Sequence, residues 1–278
     1  MHATSRTDSS TRSRTSRAGN VAVVTTIAAF SDVHGNTPAL KAVLGAIAAI
    51  GADITVNLGD IASGGVDPRG TLDLLRSRPD IVTVRGNHER QLLTLPRESM
   101  SRSDQLAYDV LDDDDRAWLR ALPARCEPAT DVLAFHGSPS DDLCYLLQTV
   151  DGGAANGLRE ATDAEVLGRL GEDADRYRLH LCGHTHLQRT RVLPDGALVA
   201  NPGSAGWPAY EDDQPGPHAV EAGTPHARFS IASREAEGGW SVTEHALAYD
   251  VDEAVALADR NGRPDVAHAL RTGLVRRG

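Results

Sequence analysis

An α/β fold is predicted by the order of apolar runs in this chain. Residues 21–30, 54–58 and 81–84 are short, uncharged and rich in β-branched side chains, as buried strands are. The two stretches between them carry helical spacing and end signals, giving β-α-β-α-β and a sheet with helical crossovers. Beyond residue 130 strand signals outnumber helical ones, so a second sheet packed on the first is expected.

Taken in order, residues 21–30 read as a strand ending at Phe30-Ser31-Asp32-Val33-His34-Gly35-Asn36. The first helix is expected with Thr37 as N-cap, Pro38 at its first position, a stripe of Leu40, Val43, Leu44 and Ile47, and Gly51 as C-cap. Asp67-Pro68 opens a second helix that stops near Pro79. Between about residues 90 and 128 the alternation breaks, and a helical insertion is expected to cap the site opening. Its run of Asp112 to Asp115 reads as a solvated helix start. Strands at 132–135, 178–182 and 198–200 follow, with a helix at 163–170. Residues 208–226, rich in Pro, Gly, Asp and His, read as a long loop. Two more strands (227–232 and 240–245) and one or two helices near 251–273 complete the chain.

The expected organisation is a disordered tail over 1–20, where Ser, Thr and Arg alternate without apolar spacing, and a single domain over 21–278. A secretory leader is not expected, because cleavage after Phe30 would remove the strand that positions Asp32. No stretch approaches the ~18 apolar residues of a membrane span. The net charge of −11 argues against non-specific nucleic-acid binding. Three cysteines (Cys126, Cys144, Cys182) form no paired framework, which suits a reducing, cytoplasmic setting. Oligomeric state is not legible.

Chemistry concentrates where the apolar runs stop. Asp32 and His34 follow the first, Asp60 the second, and Asn87 and His88 the third, while His136, His184 and His186 follow later ones, each motif beside a glycine. Gly35, Gly59, Gly86 and Gly183 are expected to let the backbone turn tightly under these side chains. Carboxylate oxygen, imidazole nitrogen and amide oxygen, with no thiolate, suit Mn, Fe, Zn, Ni or Co. Asp32, His34, Asp60, Asn87, His136, His184 and His186 are too many ligands for one ion and fit two divalent ions sharing a bridging carboxylate, for which Asp60 is placed. Two such ions ~3.5–4 Å apart hold a phosphoryl oxygen and activate a bridging hydroxide for in-line attack on phosphorus. The leaving alkoxide then needs a proton. His88, next to Asn87 but pointing elsewhere, is the expected general acid.

In this order the motifs resemble those of the calcineurin-like metallophosphoesterase superfamily over about residues 22–205, most closely its small bacterial phosphodiesterases. The resemblance implies a four-layered α-β-β-α sandwich of two mixed sheets. It implies one ion on Asp32, His34, Asp60 and His186, and a second on Asp60, Asn87, His136 and His184. The Ser/Thr protein phosphatases of the superfamily carry Asp-Arg shortly after the bridging aspartate, to orient the catalytic histidine and clamp phosphate. Here that place reads Ser63-Gly64, which favours a diester, with its smaller charge, over a phosphoprotein. The expected substrate is a small phosphoester, nucleotides included. The alternatives are a phosphomonoesterase (protein phosphatase or dinucleoside polyphosphate hydrolase) and a non-catalytic scaffold of the same fold.

Overall fold

A computed structural model describes residues 26–277. The expected tail over 1–20 and the first half of the first strand lie outside the described residues. In chain order the elements are β1 (Thr26–Phe30), α1 (Thr37–Ile50), β2 (Ile54–Asn57), α2 (Pro68–Arg76), β3 (Ile81–Thr83), α3 (Asn87–Thr94), α4 (Arg102–Tyr108), α5 (Asp113–Ala121), β4 (Arg125–Ala129) and β5 (Val132–Phe135). There follow β6 (Gln148–Val150), β7 (Leu158–Glu160), α6 (Asp163–Leu170), β8 (Leu179–Leu181), β9 (Arg189–Val192), β10 (Leu198–Asn201), β11 (Ala209–Asp212) and β12 (His218–Glu221). The chain closes with β13 (Ala227–Arg234), β14 (Trp240–Leu247), α7 (Val251–Arg260) and α8 (Pro264–Thr272).

Two five-stranded mixed sheets organise the molecule, in the orders β14-β13-β1-β2-β3 and β4-β5-β8-β10-β9. β1, β2 and β3 run parallel, with antiparallel β13 against β1 alone, while β5, β8 and β10 run parallel between antiparallel edge strands β4 and β9.

Strand alternation sorts the core into three apolar layers. On β1, Ala28 and Phe30 face Leu40, Val43 and Ile47 of α1 and Leu72 and Leu75 of α2. Ile27 and Ala29 face the other way and meet Val132, Ala134, Leu179 and Leu181 in the seam between the sheets. Leu133 and Phe135 of β5 point outward again, against Val166 and Leu170 of α6. Helix, sheet, sheet, helix is therefore the observed order of layers, the α-β-β-α sandwich expected.

Several local expectations shift. The N-cap of α1 is Asn36, whose side chain accepts from the Ala39 amide, while Thr37 hydroxyl turns to Asp67 (2.8 Å). The insertion is helical over α3 to α5 only, because β4, inside the expected range, pairs with β5 as an edge strand of the second sheet. The acidic run does start α5, with Asp112 as N-cap, but Asp115 is not solvated. It is fully buried and binds Arg69 and Arg76 of α2. The stretch expected as a loop contains the β11–β12 hairpin. Its strands are held from a distance: Tyr145 hydroxyl meets Tyr210 hydroxyl at 2.6 Å and His218 Nε2 at 2.9 Å. Composition reports the Pro- and Gly-rich turn and not that anchorage.

Candidate metal centre

All seven residues expected as ligands arrive at one place, where strands of both sheets end. Asp32 and His34 follow β1, Asp60 follows β2, Asn87 opens α3 after β3, His136 follows β5, and His184 and His186 follow β8. Asp32, His34, His136 and His186 are at least 97% buried. The ligand atoms of Asp32, His34 and His186 lie within 4.8 Å of one another, and so do those of Asp60, His136 and His184. A third such group joins His34 and Asp60 to His88.

The backbone beneath them is forced. Asp32, His34, Asp60, His184 and His186 have φ between 50° and 71°, the left-handed region that non-glycine residues avoid. Each such residue costs on the order of 1–3 kcal/mol and persists only where its surroundings over-determine it. Those surroundings include Glu89, fully buried, whose carboxylate accepts from the backbone amides of Asp60, Ile61 and Gly86 at 2.8–2.9 Å. Burial, and then the Asp60 charge, raise the Glu89 carboxyl above its usual range. Asn201 Nδ2 holds the Gly183 carbonyl at 2.7 Å, and Ser204 hydroxyl the Asp32 carbonyl at 2.8 Å. Gly35 and Gly59 do turn with positive φ, as expected, but Gly86 and Gly183 do not. Gly86 is needed for space, since a Cβ there would collide with Asp60 Oδ1.

The donor set fits cations. Oδ1 of Asp32 is buried without any hydrogen-bond partner and lies 3.5 Å from His186 Nε2. Nε2 of His34 and Nε2 of His186 face each other at 3.0 Å. Asn87 Oδ1 stands 3.2 Å from Asp60 Oδ2, 3.0 Å from His136 Nε2 and 3.1 Å from His184 Nδ1. Ligand atoms ~2.1 Å from one ion are roughly 3.0–3.4 Å apart, the spacing found here. If the amide were turned over, its NH₂ would donate to the same three atoms and no ion would be needed at that corner. The orphaned Asp32 oxygen has no such alternative.

Each inward nitrogen is fixed from behind. Nδ1–H of His34 donates to Ser63 carbonyl (2.5 Å), that of His136 to Leu58 carbonyl (2.7 Å) and that of His186 to Trp207 carbonyl (2.6 Å), which turns each Nε2 inward. Burial and the neighbouring imidazoles push His34 and His184 down to about 3. For His136 burial acts downward, but the Asp60 carboxylate outweighs it and lifts the group to about 10. Burial would raise Asp60, yet His136 and His88 hold it well below the carboxylate range.

His88 is set differently. Its backbone amide donates to Asp60 Oδ1 (3.0 Å), and its ring Nδ1 meets Asp104 Oδ1 at 2.7 Å. Burial opposes its charge, but Asp60 and the bond to Asp104 prevail and raise it to about 9.

A cleft of about 990 Å³ opens over the centre. His34, Asp60, Asn87, His88, His184 and His186 are among its lining residues, with Leu95 and Asp104 from the insertion and Tyr210 from the hairpin.

Residues 25–188 match the family model described as calcineurin-like phosphoesterase. The chain belongs to that family. Phosphoesterases of this family depend on divalent metal ions, and the converging aspartates and histidines suit them. A metallophosphoesterase from Sphaerobacter thermophilus superposes with a TM-score of 0.64 at 24% identity, covering 89% of this chain and 98% of its own. A hypothetical protein from Pyrococcus horikoshii OT3 gives the same TM-score at 16% identity, covering 90% and 98%. No curated protein matches the sequence.

Three parts of this phosphoesterase site escaped the sequence reading. Asp104 sits in the insertion and carries no local signal. Trp207 contributes through its carbonyl, which any residue could supply. Glu89 did leave a trace: a carboxylate three residues after Gly86 at a helix start is a capping pattern.

Proposed function

We propose that this phosphoesterase hydrolyses phosphodiesters at two divalent ions. Asp32, His34, Asp60 and His186 would hold one, and Asp60, Asn87, His136 and His184 the other. Bound there, the ions would neutralise phosphoryl oxygens and supply an activated water. The observation that carries the reading is the position of Asp60 Oδ2. It lies 3.9 Å from His34 Nε2 and 3.1 Å from His136 Nε2, so one oxygen faces both ligand groups.

The chain's own part begins with His88. Asp104 takes its Nδ1, leaving Nε2 as the free nitrogen on a side chain that lines the cleft. The Asp104 carboxylate on Nδ1 favours the charged ring, which would give its proton to a leaving alkoxide. Asp104 thus stands where the protein phosphatases use an aspartate close in sequence to the bridging one. The preference for diesters rests on charge. Arg263 reaches Gly64, but its N–H groups go to the Gly64 carbonyl, Ser103 and Asp265, so its charge is already matched. A monoester dianion would find no unmatched charge on Arg263.

The test is bis(p-nitrophenyl) phosphate against p-nitrophenyl phosphate, then nucleotide diesters and monoesters, each with Mn²⁺, Ni²⁺, Zn²⁺ and Mg²⁺. Diester turnover should exceed monoester turnover with the best metal. The reverse order would make the enzyme a phosphomonoesterase.

A further inference from the structure

Four ring nitrogens of the site are fixed by groups that are not candidate ligands: His34 by Ser63 carbonyl, His136 by Leu58 carbonyl, His186 by Trp207 carbonyl and His88 by Asp104. Three of those four holders adjoin one side chain. Arg263 Nη1 donates to the Gly64 carbonyl (3.1 Å), next to Ser63, and to Ser103 hydroxyl (2.5 Å), next to Asp104. Its guanidinium carbon lies 5.5 Å from the centre of the Trp207 ring. The side chain is 7% exposed and is gripped by Asp265 through Nε (3.0 Å) and Nη2 (2.7 Å). It sits 199 residues from Gly64 and 160 from Ser103, at the turn between α7 and α8. Asn261 in the same turn holds the carbonyls of Gly65 (3.0 Å) and Val66 (2.7 Å).

From this we infer that Arg263 is a positioning residue: through one planar guanidinium it sets the aim of His34, His186 and His88 together. The inference rests on the metal-site reading above. A guanidinium suits the task because its rigid fork directs several donors at once, to a carbonyl, a hydroxyl and a carboxylate, beside an aromatic face. Lysine, with a single ammonium, would reach fewer of them. His136 is the internal control, since its holder, Leu58 carbonyl, has no contact with Arg263.

The experiment compares wild type with Arg263→Met and Arg263→Lys. Mn²⁺ is titrated into the metal-free proteins, and the ring N–H protons are followed by NMR on the Zn²⁺-loaded ones. Wild-type Mn²⁺ binding and diesterase activity test the metal-site reading by themselves. The inference is tested only by the change on mutation. In Arg263→Met, Mn²⁺ affinity should fall roughly 10–100-fold, the usual effect of losing a group behind a ligand. The ring N–H signals of His34 and His186 should broaden or shift while that of His136 stays, and Arg263→Lys should fall between. Unchanged Mn²⁺ affinity with all three signals intact would overturn the inference. So would a rise in KM alone, which would make Arg263 a substrate contact. Should Arg263→Met not fold, Ser103→Ala tests the arm toward His88: kcat should drop with KM and Mn²⁺ affinity unchanged, and an unaltered kcat would remove that arm.

Discussion

At Asp32, His34, Asp60, His184 and His186 the chain accepts a left-handed backbone at residues that ordinarily refuse it. A side chain on such a residue leaves the strand end at an angle extended backbone cannot give, which is how five of them converge. Their chemistry was legible in sequence, because they follow three apolar runs and each motif stands beside a glycine. Their mutual aim was not, since it depends on Glu89, Asn201 and Ser204 holding backbone groups from afar. Three expected outcomes belong to single residues. His88→Ala should retain its metal content by elemental analysis and lose on the order of 10²–10⁴ in turnover; Asp104→Asn should lose less, with the same metal content. Asp60→Asn should lose at least one ion per chain, since one of its oxygens faces both ligand groups, and full occupancy would contradict the bridge.

Among elements, the insertion departs most from its sequence reading. It was expected to lie over the site opening, and it does line the cleft, but it is also built into the body of the protein. Met100, Ala107, Leu111 and Leu119 join the same apolar cluster as Phe30 and Leu40. Asp115 fastens it to α2, where it binds Arg69 and Arg76. An acidic run looks solvated in sequence because its partners lie 39 and 46 residues away. Although burial raises Asp115, the two arginines and the Asp112 amide pull it down to about 2 from 3.8. A carboxyl depressed on folding stabilises the native state above its unfolded pKa and stops doing so as pH falls through its folded one. Asp115→Asn should therefore lower Tm at pH 6, and the gap should close between pH 4 and pH 2. A shift of this size corresponds to roughly 2 kcal/mol. A gap independent of pH would show that the arginines do not recognise the charge. The β11–β12 hairpin was illegible for a related reason: Tyr145 and His218, which anchor it, are far apart in the chain.

For the molecule as a whole, the layer order was readable from where strands and helices fall, and the pairing of β4 and β9 as edges was not, since charged residues interrupt both. Among the described residues no helix is long and apolar enough to cross a membrane. Ions that bind the folded chain alone stabilise it by mass action, by ~4 kcal/mol at a thousand times the dissociation constant. Stripping them with a chelator should lower Tm by roughly 5–15 °C, recovered on adding Mn²⁺ back, as differential scanning calorimetry would record. Asp32, His34, Asp60 and Asn87 descend from one sheet, and His136, His184 and His186 from the other. Cations held by both sets would therefore act as rivets across the seam, and grip on the metal and rigidity of the sandwich would become one quantity. A change deep between the sheets, far from any substrate, would register first as a looser hold on the ions.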